Sequence, residues 1–417
     1  MQRDQVRSNS EGLRKHGLDI VRAAAIVSVM LYHAGNMQLL SASAPWFINF
    51  GWMGVDLFFV LSGFLIASQL LKPFASGARP DYGRFFIRRA LRTLPAFFVV
   101  LLAYFAFPWL RETQDMQPFW QFPTFTENLL FDPSSSKAFD QFWSLCVEEQ
   151  FYLVFPLVVA ILALKPSVRK TGAVILGVLA LGIVLRSCLW LAFVAGPRFS
   201  PSGHTDWHSY VTLIYYPTWS RLDGLLAGVS IALLKTFRPR EWERFVSRPD
   251  LLLGLGFAGI LAAIALFSGI LGPLAPVAFG FPLLSLATAL MVAAASTGRA
   301  LVGKYRILGA EALAAGAYSL YLSHKIAFHV TKEWFAPSLG VSGGMEFLLS
   351  LAVALVMGAA LYWAIERPLL ALRHRLGSKG GAPARAQDRD AIANRPPVLI
   401  GAFHSLRTHS PVLRADG

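Results

Sequence analysis

Apolar residues run in stretches of about 20 along nearly the whole chain, separated by short polar connections. Ten stretches stand out: 19–37, 51–71, 93–109, 143–164, 172–195, 211–234, 251–269, 274–297, 308–330 and 346–365. A helix of that length crosses the hydrocarbon core of a bilayer. The pattern therefore predicts an all-α, polytopic membrane helical bundle of about ten transmembrane helices. Residues 1–17 read as a polar cytoplasmic lead and 18–370 as one continuous membrane domain. Residues 371–417 read as a basic, disordered cytoplasmic tail rich in Gly, Ala, Arg and Pro, broken only by Val398-Leu399-Ile400. No repeat relates the two halves, which counts against the transporter architectures built from repeats.

Composition agrees with the pattern. Hydrophobic residues make up 55% of the 417-residue chain and charged residues only 15%, with a mean hydropathy of +0.51. The formal net charge of +14 invites a nucleic-acid reading, but its distribution argues against one. Basic residues fill alternate connections: Arg14 and Lys15, then Lys72 to Arg92, Lys165 to Lys170, Lys235 to Arg244, Arg299 to Arg306, and Arg367 onward. The connection 109–142 instead carries Glu112, Asp115, Glu127, Asp132 and Asp140. This is positive-inside alternation, with both termini cytoplasmic and an even number of spans. It predicts a multi-pass membrane protein, with the lipid bilayer as a partner and no nucleic acid. No cleavage signal precedes the first span, which is expected to act as an uncleaved anchor. Cys146 and Cys188 both fall inside spans, so neither a disulfide nor a metal site is expected.

Candidate chemistry lies where charge interrupts an apolar run. In the first span Arg22 and His33 are eleven residues apart, which places them within about 20° on the helix circumference and about 16 Å along its axis. Asp19 can pair with Arg22 at i,i+3 at the cytoplasmic entrance. One helix face thus carries an anion-binding group at one depth and a titratable base at another. The alternative, a snorkelling arginine and a packing histidine, stays open.

Four other groups stand beside this one. The run Gly51 to Phe64 carries Asp56 and Ser62 among glycines that let helices approach closely; Arg22 or a later arginine is a candidate partner for Asp56. Arg84, Arg88, Arg89 and Arg92 cluster at a cytoplasmic entrance, with Arg88 and Arg92 on one face, and arginine suits bidentate phosphate binding. The cluster also fits a purely topological role or contact with anionic lipid. The fourth span opens with Trp143-Ser144, then Glu148-Glu149-Gln150 and Tyr152, at a depth that suggests one glutamate orients His33. The ninth carries Tyr318, Ser319, Tyr321 and His324, where the favoured reading of His324 is a hydrogen bond within the bundle. Weaker signals are Ser220-Arg221-Leu222-Asp223, the pair His204 and His208 flanking Asp206, and Glu366-Arg367-Pro368.

These blocks together resemble the membrane acyltransferase-3 family. The resemblance rests on Leu18-Asp19…Arg22…Tyr32-His33, Gly54-Val55-Asp56…Ser62-Gly63-Phe64, Arg88-Arg89…Arg92…Pro95, Trp143-Ser144…Glu148-Glu149-Gln150…Tyr152, Tyr318-Ser319…Tyr321…His324 and Glu366-Arg367-Pro368. They occur in the family's order over about residues 18–370. One departure is Ser323-His324-Lys325, where relatives often carry aromatic residues beside the histidine.

The resemblance implies an integral membrane O-acyltransferase of the cell inner (plasma) membrane. Its donor would be cytosolic acyl-CoA, most simply acetyl-CoA, and its acceptor a hydroxyl of a cell-surface polysaccharide, lipo-oligosaccharide or lipid-linked sugar. In this reading Arg88, Arg89 and Arg92, with Asp19, meet the donor. His33 acts as base or transient acyl carrier, supported by Arg22 and by Glu148 or Glu149, and no metal takes part. Asp56, Ser62, Trp143, Ser144, Tyr152, Tyr318, Ser319, Tyr321 and His324 supply substrate contacts or polar structure. Relatives that carry an added esterase-like domain complete transfer there; here transfer is expected to finish within the membrane domain or on a separate partner. The competing functions are a proton-coupled secondary transporter and O-acylation of a small molecule such as a macrolide.

Overall fold

The computed structural model describes residues 2–41, 43–134, 137–195 and 206–378. Among them every regular element is helical, apart from one isolated bridge between Asp115 and Lys137. The principal helices are α1 (Gln2–Asn36), α2 (Met53–Ala75), α3 (Tyr82–Ala106), α4 (Trp143–Leu164) and α5 (Val168–Leu189). They continue as α6 (Asp223–Phe237), α7 (Pro249–Phe267), α8 (Phe281–Ala295), α9 (Ala317–Val330) and α10 (Gly344–Leu361).

Seven stretches are long and apolar enough to cross a membrane: His16–Asn36, Met53–Ala75, Asp140–Leu164, Val168–Val194, Pro249–Phe267, Pro276–Ala295 and Gly344–Leu372. The other three predicted runs fall on α3, α6 and α9, which are not among the seven. The first half of α3 carries Arg84, Arg88, Arg89 and Arg92. Helices α6 and α9 are only 15 and 14 residues long. The run 211–234 is broken at Pro217, which has no N–H to continue a helix. Arg367–Ser378 is helical. Residues 379–417, including Val398-Leu399-Ile400, lie outside the described residues, as does His204.

Helix α2 is the centre of the bundle, flanked by α1 and α6. Gly63 lies against the backbone of Leu225, Gly228 against the carbonyl of Val60, and Gly54 against the carbonyl of Ala25; a methyl group at any of them would overlap backbone. Small residues at these crossings set the helix spacing, as the run 51–64 predicts.

Two charge pairs fasten the same region. Arg221 Nη2 donates to both carboxylate oxygens of Asp56 at 2.9 Å, and Arg186 Nη1 donates to Asp223 Oδ2 at 2.7 Å. All four side chains are buried. The Arg221 guanidinium also lies 4.1 Å from the Phe281 ring centroid and 4.8 Å from that of Tyr215. A buried charge is tolerated only when paired in this way.

The connection between α3 and α4 folds over one end of the bundle as a series of short turns around Phe122, Phe139 and Phe142, stacked with Phe97 of α3. We call this the far end, and the opposite one, where the arginines of α3 lie, the basic end.

Candidate active site

A cavity of about 100 Å³, apolar on the α2 side and charged at the basic end, lies between α1, α2, α3, α4 and α9. Its polar lining includes Arg22, Ser62, Arg89, Arg92, Glu148 and Tyr318, with Glu366 from the turn that follows α10. Arg89 sits 3.5 Å from Glu148 Oε2 and 3.9 Å from Glu149 Oε1, and its guanidinium lies 3.6 Å from the Tyr152 ring centroid. Glu148 is held from two further sides, by the Ser62 hydroxyl at 2.8 Å and the Tyr152 hydroxyl at 2.7 Å. Arg22 reaches Asp19 at 3.6 Å. Arg92 makes no ion pair among the described residues, which leaves its five donors available to an anion. Tyr318 donates to the Thr93 carbonyl and Ser319 to Glu366 Oε2, tying α9 to α3 and to the end of α10.

A second cavity, polar and about 600 Å³, opens at the far end. His33 of α1 lines it with Asn36, Glu112, Asp140, Trp207, Tyr216, Lys325 and His329. Lys325 donates to Glu112 and Asp140 at 2.7 and 2.6 Å. Burial alone would push the Glu112 carboxyl up, but Lys325 and the hydrogen bond from the Phe139 N–H outweigh it and hold the carboxyl below its ordinary value. That bond also secures Phe139, whose φ of +63° is uncommon for a large residue.

The two cavities share no lining residue. Helix α9 passes between them: Tyr318 and Tyr321 face the first, and Lys325 faces the second, about 6 Å further along the axis. The separating layer contains buried His324 and the hydroxyl pair Ser144–Tyr321 at 2.7 Å. Tyr321 donates to the Gln141 carbonyl at 2.9 Å. The sequence-predicted face of α1 thus serves both cavities, Arg22 the first and His33 the second.

Several expected placements change. Glu148 and Glu149 do not meet His33; they face Arg89. Depth along a helix, which the sequence supplies, does not give azimuth, and a buried carboxylate gains more beside a permanent guanidinium charge than beside an imidazole. The ring contacts of His33 are instead aromatic: Tyr32 at 5.4 Å and His324 at 5.1 Å between centroids. Arg88 is exposed beside exposed Phe86 and Ile87 and lines neither cavity; Arg89 and Arg92, at i,i+3, take its place. Asp56 pairs with Arg221, not Arg22, and serves the packing of α2 on α6. Trp143 stacks on Tyr216 at 5.3 Å and lies 5.2 Å from Arg221, so it braces that pair.

Other residues escaped the sequence reading. Arg186 was legible as a lone charge in the fifth run, the same signal that singles out Arg22. Gln150 is absorbed by structure: it donates to the Phe125 carbonyl at 2.6 Å and accepts from Thr218. Glu112 and Lys325 meet across more than 200 positions of sequence, and no spacing rule links them. Among the described residues, no group of three or more His, Cys, Asp or Glu side chains is placed to hold a metal ion.

Seven membrane-length apolar helices, with one cavity lined by three arginines and another lined by a histidine, define a polytopic helical membrane protein. The chain belongs to the acyltransferase-3 family: the family model, described as an acyltransferase domain, matches residues 15–367. The O-acetyltransferase OatA of Staphylococcus aureus (strain NCTC 8325 / PS 47) is 26% identical over 385 residues, covering 85% of this chain and 57% of OatA. The putative peptidoglycan O-acetyltransferase YrhL of Bacillus subtilis (strain 168) is 30% identical over 248 residues, 56% of this chain and 35% of YrhL. The putative O-acetyltransferase SACOL0978 of S. aureus (strain COL) is 33% identical over 233 residues, 52% of this chain and 34% of the relative. The match therefore spans between about a third and just over half of these relatives' lengths. No solved structure matches the chain.

Proposed function

We propose that the chain is an integral membrane O-acyltransferase that moves an acetyl group from cytosolic acetyl-CoA to a hydroxyl of a cell-surface glycan. In this reading both termini and the basic end face the cytoplasm, the ten principal helices all cross or enter the inner membrane, and the far end faces the acceptor. One observation carries it: three arginines line a cavity at the basic end, while a histidine lines a separate cavity at the far end, with about 6 Å of helix α9 between their linings. A polyanionic thioester from one side and an alcohol from the other require such a division.

The basic-end cavity has Arg22, Arg89 and Arg92 in its lining, guanidinium donors suited to the phosphates of the donor. The Arg89–Glu148–Tyr152 group holds the cavity wall rigid and supplies donors along it. The thioester has to pass the Tyr321–Ser144 layer to reach His33. There the acceptor oxygen attacks the thioester carbonyl as His33 takes the hydroxyl proton; the C–S bond breaks and that proton goes to the departing thiolate. The large, polar far-end cavity, with Trp207 on its rim, fits a sugar better than an apolar small molecule. The names of OatA and YrhL support acetyl as the group moved and peptidoglycan or a related glycan as the acceptor.

The test uses the purified protein in nanodiscs with radiolabelled acetyl-CoA and soluble glycan fragments. Label appearing in the glycan supports the reading. Uptake of a solute driven by a proton gradient, with no label transferred, would replace it with a transporter.

A further inference from the structure

The His324 side chain is fully buried, and one of its two ring nitrogens has no partner among the described residues. Nδ1 lies 3.0 Å from the carbonyl oxygens of Leu320 and of Tyr321, one turn back on the same helix. Carbonyl oxygens only accept, so Nδ1 carries the hydrogen. Nε2 then presents a bare lone pair on the opposite edge of the ring, pointing away from the α9 backbone. A buried polar atom with no partner is rare and costly.

The ring facing this histidine is His33. The two centroids are 5.1 Å apart, with the rings tilted by 48°. In this structure the two rings are not hydrogen-bonded; with His324 held at Nδ1, turning the His33 ring so that a nitrogen, about 1.1 Å from its centroid, faces Nε2 would close the gap to about 2.9 Å, which is hydrogen-bond distance. Among the described residues, no carboxylate takes that position. The glutamates of α4 are committed to Arg89, and Glu112 and Asp140 to Lys325.

We propose that His324 is the positioning residue of His33: its Nε2 accepts the N–H of the His33 ring and thereby fixes the His33 tautomer that leaves a lone pair toward the far-end cavity. The Leu320 and Tyr321 carbonyls set the tautomer of His324, which in turn sets that of His33. The chain of donors therefore runs from the α9 backbone to the cavity. This rests on the acyl-transfer reading for its catalytic meaning. In that setting His33 takes the acceptor's hydroxyl proton on its free nitrogen, and its second N–H stays hydrogen-bonded to His324. The resulting imidazolium is stabilised by a neutral acceptor, with no net proton moved to His324.

The experiment compares His324→Gln, whose amide oxygen still accepts, with His324→Phe, which cannot. Both are measured in nanodiscs for transfer kinetics and, with ¹⁵N-labelled histidine, for the ring-nitrogen shifts of His33. His324→Phe is expected to lose about a hundredfold in kcat, the low end of what a positioned base contributes, with donor KM held within about threefold. The His33 shifts should move from one tautomer to a mixture. His324→Gln should recover to within about tenfold of wild type and keep the single tautomer. A His324→Phe protein with wild-type kcat and unchanged His33 shifts would overturn the proposal, as would equal losses in both variants. If His324→Phe does not fold, the His33 tautomer in His324→Gln decides alone: unchanged supports the proposal, mixed overturns it. Should the wild-type protein transfer no acyl group, the enzyme reading fails on that result, while the spectra still decide the pairing.

Discussion

Arg89 and Glu148 face each other at 3.5 Å between α3 and α4, and this one pairing reassigns the acidic residues of the fourth span. The glutamate reads in sequence as a support for His33. In the folded chain it is an internal counter-ion for an arginine that would otherwise carry its charge in an apolar environment. Ser62 and Tyr152 occupy its remaining lone pairs.

Arg89→Ala would leave Glu148 and Glu149 inside the bundle without their counter-charge. Removing one partner of a buried ion pair costs about 3–5 kcal/mol. Thermal unfolding in detergent should show a loss of that order, whereas Glu148→Gln, which keeps a hydrogen-bonding amide, should lose less. Equal stability of Arg89→Ala and wild type would mean the pair does not hold α3 to α4.

The Asp56–Arg221 pair predicts a different mutational signature. Asp56→Leu or Arg221→Met alone strands a buried charge and should destabilise by about 3–5 kcal/mol, while the double variant should recover most of the loss. A double-mutant cycle on unfolding temperature measures this. Additive losses would show that the two side chains are not coupled.

Acid should loosen the far end through Glu112. Its carboxyl is held below its ordinary value, so its contribution is present at pH above about 4.5 and is lost as pH falls through the lower folded value. The unfolding temperature of wild type should therefore fall in that acid range. Glu112→Gln should be less stable at neutral pH and flatter below pH 4.5. An acid limb of unchanged slope in Glu112→Gln would assign the loss to other carboxylates.

Much of the molecule was legible in the residues. The long apolar runs give the helices, and the glycines of 51–64 mark the close crossings of α2. Arg22 and His33 stand out because charge inside an apolar run is expensive, and both line cavities. What the sequence could not supply was azimuth and partnership. Arg88 and Arg92 share a helical face by spacing, yet the cavity selects Arg89 and Arg92, because helix rotation is set by packing against α9 and the segment 362–378 that follows α10. Arg221, at a break before α6, could have served any acid of the membrane domain. Its pairing with Asp56 follows from α2 lying on α6, a tertiary fact. The Lys325–Glu112–Asp140 group joins a span to a connection that carries no periodicity.

Arg92 is the guanidinium in the basic-end cavity without an ion-pair partner among the described residues, so it should dominate donor affinity. Arg92→Ala is expected to weaken CoA binding by about tenfold to a hundredfold, matching the loss of a charge-assisted hydrogen bond of about 1.5–3 kcal/mol. Arg88→Ala should bind CoA like wild type. Isothermal titration in detergent checks both; the reverse ranking would place the donor elsewhere.

The most direct test of the division between the cavities is His33→Ala, assayed for CoA binding and single-turnover acetyl transfer in one preparation. Donor affinity should stay within about threefold of wild type while transfer falls by about a hundredfold to ten-thousandfold. Transfer at the wild-type rate would contradict the placement of the chemistry at His33.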